Sequence, residues 1–137
     1  MQVFIIGSPF ETANILDKRR LNKQIIECNQ ILNAINGSSK AWKNHPCTLQ
    51  YQDNVRWLEH YRDCLILFKN NLKIMSKLES DLANQIKPLF HTEEYFNQMK
   101  RRLYTKDNNH YKIFEYLGYS IENWYWVNNK WKIYKQK

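Results

Sequence analysis

Arg20, Lys23, Gln24 and Glu27 follow one another at the i, i+3, i+4, i+7 spacing that lines up side chains along one strip of an α-helix. Two cations, an amide and a carboxylate on one strip can hold a phosphate, orient a ligand and move a proton. The same spacing also describes an ordinary solvated helix face carrying Arg20–Gln24 or Lys23–Glu27 pairs. Lys18 and Arg19 thicken the positive charge beside it. A second concentration lies at the other end of the chain. Residues 100–137 hold nine of the 21 Lys and Arg residues against three of the 13 acids, which is +6 of the net +8, and half of the aromatic residues. Lys100, Arg101, Arg102, Lys106 and Lys130 are interleaved there with rings that include Tyr111, Trp124 and Trp126. Cations hold phosphates while rings stack on bases or wedge between them. A nucleic acid is therefore the partner that this composition favours, although several of the rings are expected in the core with lysines as a solvated rim.

Other chemistries find no support. Cys28, Cys47 and Cys64 are odd in number and include no CxxC pair, and His45, His60, His91 and His110 have no metal-ligand spacing. Reduced, partly buried thiols are expected, with no metal site and no cofactor. Dinucleotide, phosphate-loop, serine-hydrolase and zinc-protease motifs are all missing. The longest uncharged apolar run, Val3 to Phe10, is broken by Gly7, Ser8 and Pro9 and falls far short of the roughly 20 residues of a membrane helix. It also lacks the flanks of a secretory signal, so a cytoplasmic protein with no membrane partner is expected.

The elements that must position these groups read as helices. Ile15, Leu16, Leu21, Ile25, Cys28, Leu32 and Ile35 recur at helical spacing and Asn36-Gly37 supplies a stop, which predicts a helix over about 14–36. Val55, Leu58, Tyr61, Leu65, Phe68, Leu72 and Met75 predict a second over about 50–78, with Trp57 and Ile66 off its stripe. Between them Ala41 to Pro46 is a turn, in which His45 reads as a hydrogen-bonding turn residue rather than a catalyst. A third helix over about 92–105 has Thr92 as N-cap, Glu93 and Glu94 in its first turn and Lys100, Arg101 and Arg102 near its end. With only three Gly and three Pro, the expectation is an all-α, single compact domain over 1–137. It would have about three to five helices and a basic, aromatic-rich C-terminal tail.

Met1-Gln2-Val3-Phe4, then Leu16-Asp17-Lys18-Arg19-Arg20-Leu21-Asn22-Lys23-Gln24 with Glu27, then Trp42-Lys43-Asn44-His45-Pro46 resemble the pyrimidine dimer DNA glycosylases of the phage endonuclease V type, and within them the short bacterial and viral relatives. Lys100 with Leu103, Lys106-Asp107 and His110-Tyr111 resemble the family's C-terminal signature. The resemblance implies a compact helical enzyme that acts on damaged double-stranded DNA, needs no cofactor, and works in the bacterial or infected-host cytoplasm. It implies an N-terminal amine that forms an imine with the sugar C1′, assisted by a carboxylate, followed by β-elimination. Met1 and Gln2 would then form the reactive end. Where the family has a glutamate directly after an arginine this chain has Arg20, which makes Glu27 the candidate acid, with Glu11 and Asp17 behind it. Met99 and Lys100 stand where short relatives have histidine and arginine. The resemblance also implies that Arg19, Arg20, Lys23, Gln24, His45 and the C-terminal basic residues hold the nucleic acid. The alternative is a non-catalytic protein on the same scaffold that sequesters a nucleic acid, a nucleotide or a cyclic nucleotide.

Overall fold

Val3, Phe4, Ile5 and Ile6 are a buried, non-helical lead-in. A computed structural model describes residues 3–70 and 87–119, and the backbone of Glu122–Val127 and Lys130–Lys135. After the lead-in comes α1 (Pro9–Ile15), with Pro9 in its first turn and the Ser8 hydroxyl accepting from the Glu11 N–H at 3.1 Å. The buried Thr12 hydroxyl accepts from the Ile6 N–H at 3.1 Å and ties the lead-in to this helix.

The single helix expected over 14–36 is instead two. Leu16 is extended at ψ 136°, and Asp17 starts α2 (Lys18–Asn36) afresh by accepting from the Arg20 N–H at 3.3 Å. Apolar spacing runs straight through this break because Leu16 and Leu21 both reach the core; the capping aspartate is what resets the helix. Gly37 ends α2 at φ 84°, a left-handed conformation in which a β-carbon would be strained. The second expected helix is likewise divided, into α3 (Pro46–Tyr51) and α4 (Val55–Lys69). Of its stripe, Leu58, Tyr61 and Leu65 are buried, Trp57 joins them in the core, and Leu72 and Met75 lie outside the described residues. The third is α5 (Glu93–Lys106), and Thr92 caps it by accepting from the Tyr95 N–H.

Packing follows these faces. α2 lies along α4, with α1 and α3 against the same pair, and α5 carries a 3-10 helix, Lys112–Leu117. Ile5, Ile31, Leu58, Leu65, Met99 and Leu103 are at most 1% exposed, and burying each such side chain contributes about 1.5–3 kcal/mol. All three cysteines are buried and form no disulfide with one another. The body is helical, as expected. To it the tail adds a feature the sequence reading left unassigned: β1 (Glu122–Val127) and β2 (Lys130–Lys135) pair antiparallel, with Trp126 opposite Trp131 and Trp124 opposite Ile133. β1 lies against α3. Among the described residues no helix is long and apolar enough to cross a membrane.

Candidate functional site

One peptide unit of the lead-in is gripped from both sides. The Phe4 N–H donates to Oε1 of Gln24 on α2 at 2.9 Å, and the carbonyl of the same unit, that of Val3, accepts from the Tyr95 hydroxyl of α5 at 3.2 Å. In a trans peptide these two groups point in opposite directions, so the unit is fixed in position and in rotation. Met1 and Gln2 lie outside the described residues.

On the α2 side, Gln24 is a hub. It is 1% exposed, its Oε1 also accepts from the Tyr61 hydroxyl at 3.1 Å, and its Nε2 donates to Glu27 Oε2 at 2.8 Å. Its amide is thus used inside the protein and presents no surface to a ligand, unlike the contact expected of it. Glu27 is 7% exposed and held next to the lead-in by that bond. On the α5 side, the Tyr95 hydroxyl accepts from Tyr51, which is 2.9 Å from His91 Nε2. With the Tyr51 proton committed to Tyr95, His91 must donate from Nε2, and its buried Nδ1 has no hydrogen-bond partner. Burial first, and then the charge of Lys87, lowers the His91 pKa to about 3, so the ring is neutral.

Lys106 brings together the charges of α2 and α5. Lys106 lies over the Phe4 ring at 5.9 Å. Burial, then the charges of Arg20, Lys23 and Arg102, lower its pKa, and Glu27 acts in the opposite direction. Four like charges drawn from α2 and α5 form the kind of field that attracts phosphates. Arg20 is paired. Its Nη1 lies 3.2 Å from Asp17 and 3.9 Å from Asp107, and its guanidinium sits 5.8 Å from the centre of the Tyr111 ring. Tyr111 is fully buried; its hydroxyl donates to Asp17 Oδ1 and accepts from the Asp17 N–H at 3.0 Å. Burial alone would raise the Asp17 pKa, but the bonds from Tyr111 and Arg20 outweigh it and lower it. Tyr111, expected as a ligand contact, is therefore a core residue that sets the start of α2.

His45 caps α3, its Nδ1 accepting from the Cys47 N–H at 3.1 Å. Burial, then the charge of the amino terminus, lowers its pKa. Cys47 takes a bond from the Val3 backbone, and burial above all pushes its thiol up to about 11, so it is no nucleophile at neutral pH. The remaining residues are dispersed. Arg19 and Lys23 are exposed on α2. Lys100 sits over the Phe114 ring at 5.8 Å and Arg101 donates to the Leu117 carbonyl at 3.0 Å, so both serve the 3-10 helix. His110 is exposed, 3.3 Å from the Ile15 carbonyl. Trp124 and Trp126 are on β1 and Lys130 opens β2, with their side chains outside the described residues. Sequence reasoning missed Tyr95, Tyr51 and Tyr61, for which spacing offers only a core reading, and Asp107, whose signal is its place beside Lys106. Among the described residues no three His, Cys, Asp or Glu side chains cluster to hold a metal.

Among curated proteins and solved structures, nothing matches this chain. Residues 1–67 match the model of the family described as Pyrimidine dimer DNA glycosylase, and this match supports the family that the motifs of the lead-in, α2 and the loop before α3 resemble.

Proposed function

We propose that this protein is a DNA glycosylase and abasic-site lyase acting on pyrimidine dimers or related base lesions in duplex DNA. The observation that carries the proposal is the doubly gripped Val3–Phe4 peptide beside Glu27 and the four cations. The peptide that would carry an α-amine is itself fixed beside a buried carboxylate. The ordinary pKa of such an amine, near 8, leaves a useful neutral fraction at neutral pH, where a lysine is almost wholly protonated.

In the proposed reaction the amine lone pair attacks C1′ of the damaged nucleotide and the base departs with the glycosidic electron pair. Opening of the sugar ring and loss of the amine protons give the imine. Glu27 accepts and returns protons and balances the cationic centre. Removal of a C2′ proton then expels the 3′ phosphate oxygen, which nicks the strand. Lys23 and Lys106 hold the phosphates of the bent duplex, while Arg20 contributes less because Asp17 and Asp107 already face it.

The test is borohydride trapping on a duplex that carries an abasic site or a cyclobutane dimer. A covalent adduct is expected, lost when the amine is blocked, and Glu27→Gln should bind the duplex normally while trapping far more slowly. Salt-sensitive binding with neither adduct nor nick would overturn the enzyme assignment and leave the sequestering protein.

A further inference from the structure

Trp42 is the one non-glycine residue with a positive φ, 65°, among the described residues, and it is 46% exposed. A β-carbon disfavours that conformation, most of all in a bulky residue, and strain of this kind gathers where a side chain must be held out for a purpose. A turn that needed the left-handed backbone only for its shape would be met by glycine or asparagine. The loop around it is fixed at both ends, with the Ser39 N–H on the Asn33 carbonyl at 3.2 Å and the His45 N–H on the Trp42 carbonyl at 3.1 Å. Lys40, Ala41, Trp42, Lys43 and Asn44 are all exposed. A large ring between two lysines therefore stands in solvent on a braced loop.

Its position relates it to the reactive end. The Trp42 ring meets His45 edge-on at 5.6 Å; His45 accepts from the Cys47 N–H; Cys47 is bonded to the Val3 backbone.

We infer that Trp42 is a stacking residue for the DNA duplex, its indole lying on the face of a base next to the nucleotide whose sugar is attacked, with Lys40 and Lys43 on the flanking phosphates. The inference rests on the DNA reading given above and adds to it the group that holds the helix open beside the reacting sugar. Stacking is insensitive to salt and tolerant of base identity, whereas the lysines contribute a salt-dependent part. Trp42 touches a neighbouring base and not the reacting bond, so it acts on binding and on base opening.

The experiment uses the full chain and a duplex with a tetrahydrofuran abasic analogue flanked by 2-aminopurine. Trp42→Ala should bind about tenfold or more weakly, with an unchanged dependence of log Kd on log salt, and should lose the 2-aminopurine fluorescence change that the parent protein causes. Trp42→Phe should recover most of both. Trp42→Gly accepts the positive φ without strain, so it should melt no lower than the parent while binding as weakly as Trp42→Ala. Parental binding and fluorescence in Trp42→Gly, or equal loss in Trp42→Phe and Trp42→Ala, would overturn the inference. Borohydride trapping by the parent on an authentic abasic site is scored separately: its failure removes the lyase assignment, while the Trp42 comparison still decides the stacking.

Discussion

Replacing Gln24 by leucine removes one amide and three bonds at once. The Phe4 N–H at 2.9 Å and the Tyr61 hydroxyl at 3.1 Å lose their acceptor, and Glu27 loses the donor at 2.8 Å, all within a site 1% exposed at its centre. Each buried donor left without a partner costs about 1–3 kcal/mol, and the bond to the carboxylate is of the stronger, charge-assisted kind. Bonds in one network do not add fully, so a total of about 3–6 kcal/mol is expected, which for a chain of this size lowers the melting temperature by roughly 10–20 °C. Gln24→Glu separates the bonds. One carboxylate oxygen still accepts from Phe4 and Tyr61, but the other meets the Glu27 carboxylate at bonding distance, and two such groups hold a proton between them with a raised pKa. A raised acid pKa in the folded state means that the unfolded chain releases its proton first as pH rises. Stability of Gln24→Glu should therefore be greatest near pH 4 and fall toward neutral pH, unlike that of the parent. Thermal melts from pH 4 to 8 read both effects. A Gln24→Leu protein melting within about 2 °C of the parent, or Gln24→Glu with the parent's pH profile, would refute the hub.

Two further outcomes follow from other contacts. Lys23→Ala should shallow the dependence of log Kd on log salt by about one unit, whereas Arg20→Ala should change it by less because Asp17 and Asp107 already balance that charge; equal changes in a filter-binding titration would contradict this. His91, neutral with its pKa at about 3 against about 6.5 for an unperturbed imidazole, contributes stability that is complete above pH 6.5. The unfolded imidazole gains its proton first on acidification, so that stability is lost as pH falls toward 3. His91→Gln should flatten this part of the melting profile, and an unchanged slope would refute the assignment.

Local signals carried much of the fold into the sequence. Thr92 before Glu93 and Glu94 marks the start of α5, and Gly37 marks the end of α2, because caps act within a turn of their own position. The break at Leu16–Asp17 is local too, yet apolar periodicity conceals it, since both sides bury the same face. The ribbon had a signal that helical composition outweighed: aromatic and apolar runs flanking Asn128-Asn129. In the site, the strip of α2 was legible as a strip but not in its division, with Gln24 inward, Lys23 outward and Arg20 enclosed. That division is set by Phe4, Tyr61, Asp107 and Tyr111, and no spacing rule links residues so far apart. The tail's charge likewise divides, Lys106 facing the charges of α2 while Lys100 and Arg101 hold the 3-10 helix.

The bond between Tyr111 and Asp17 joins residues 94 apart, and that between Tyr95 and Val3 joins residues 92 apart. A ribosome adding roughly 5–20 residues per second makes the second partner of each pair on the order of 5–20 seconds after the first. During that interval α1 and α2 can form and pack, but the lead-in lacks the hydroxyl that holds its carbonyl, and the start of α2 lacks the ring that seals it. Nascent chains are thus delivered with helices before they are delivered with a site, and a protein cut short before α5 would keep the matched segment 1–67 while lacking the means to aim its own beginning.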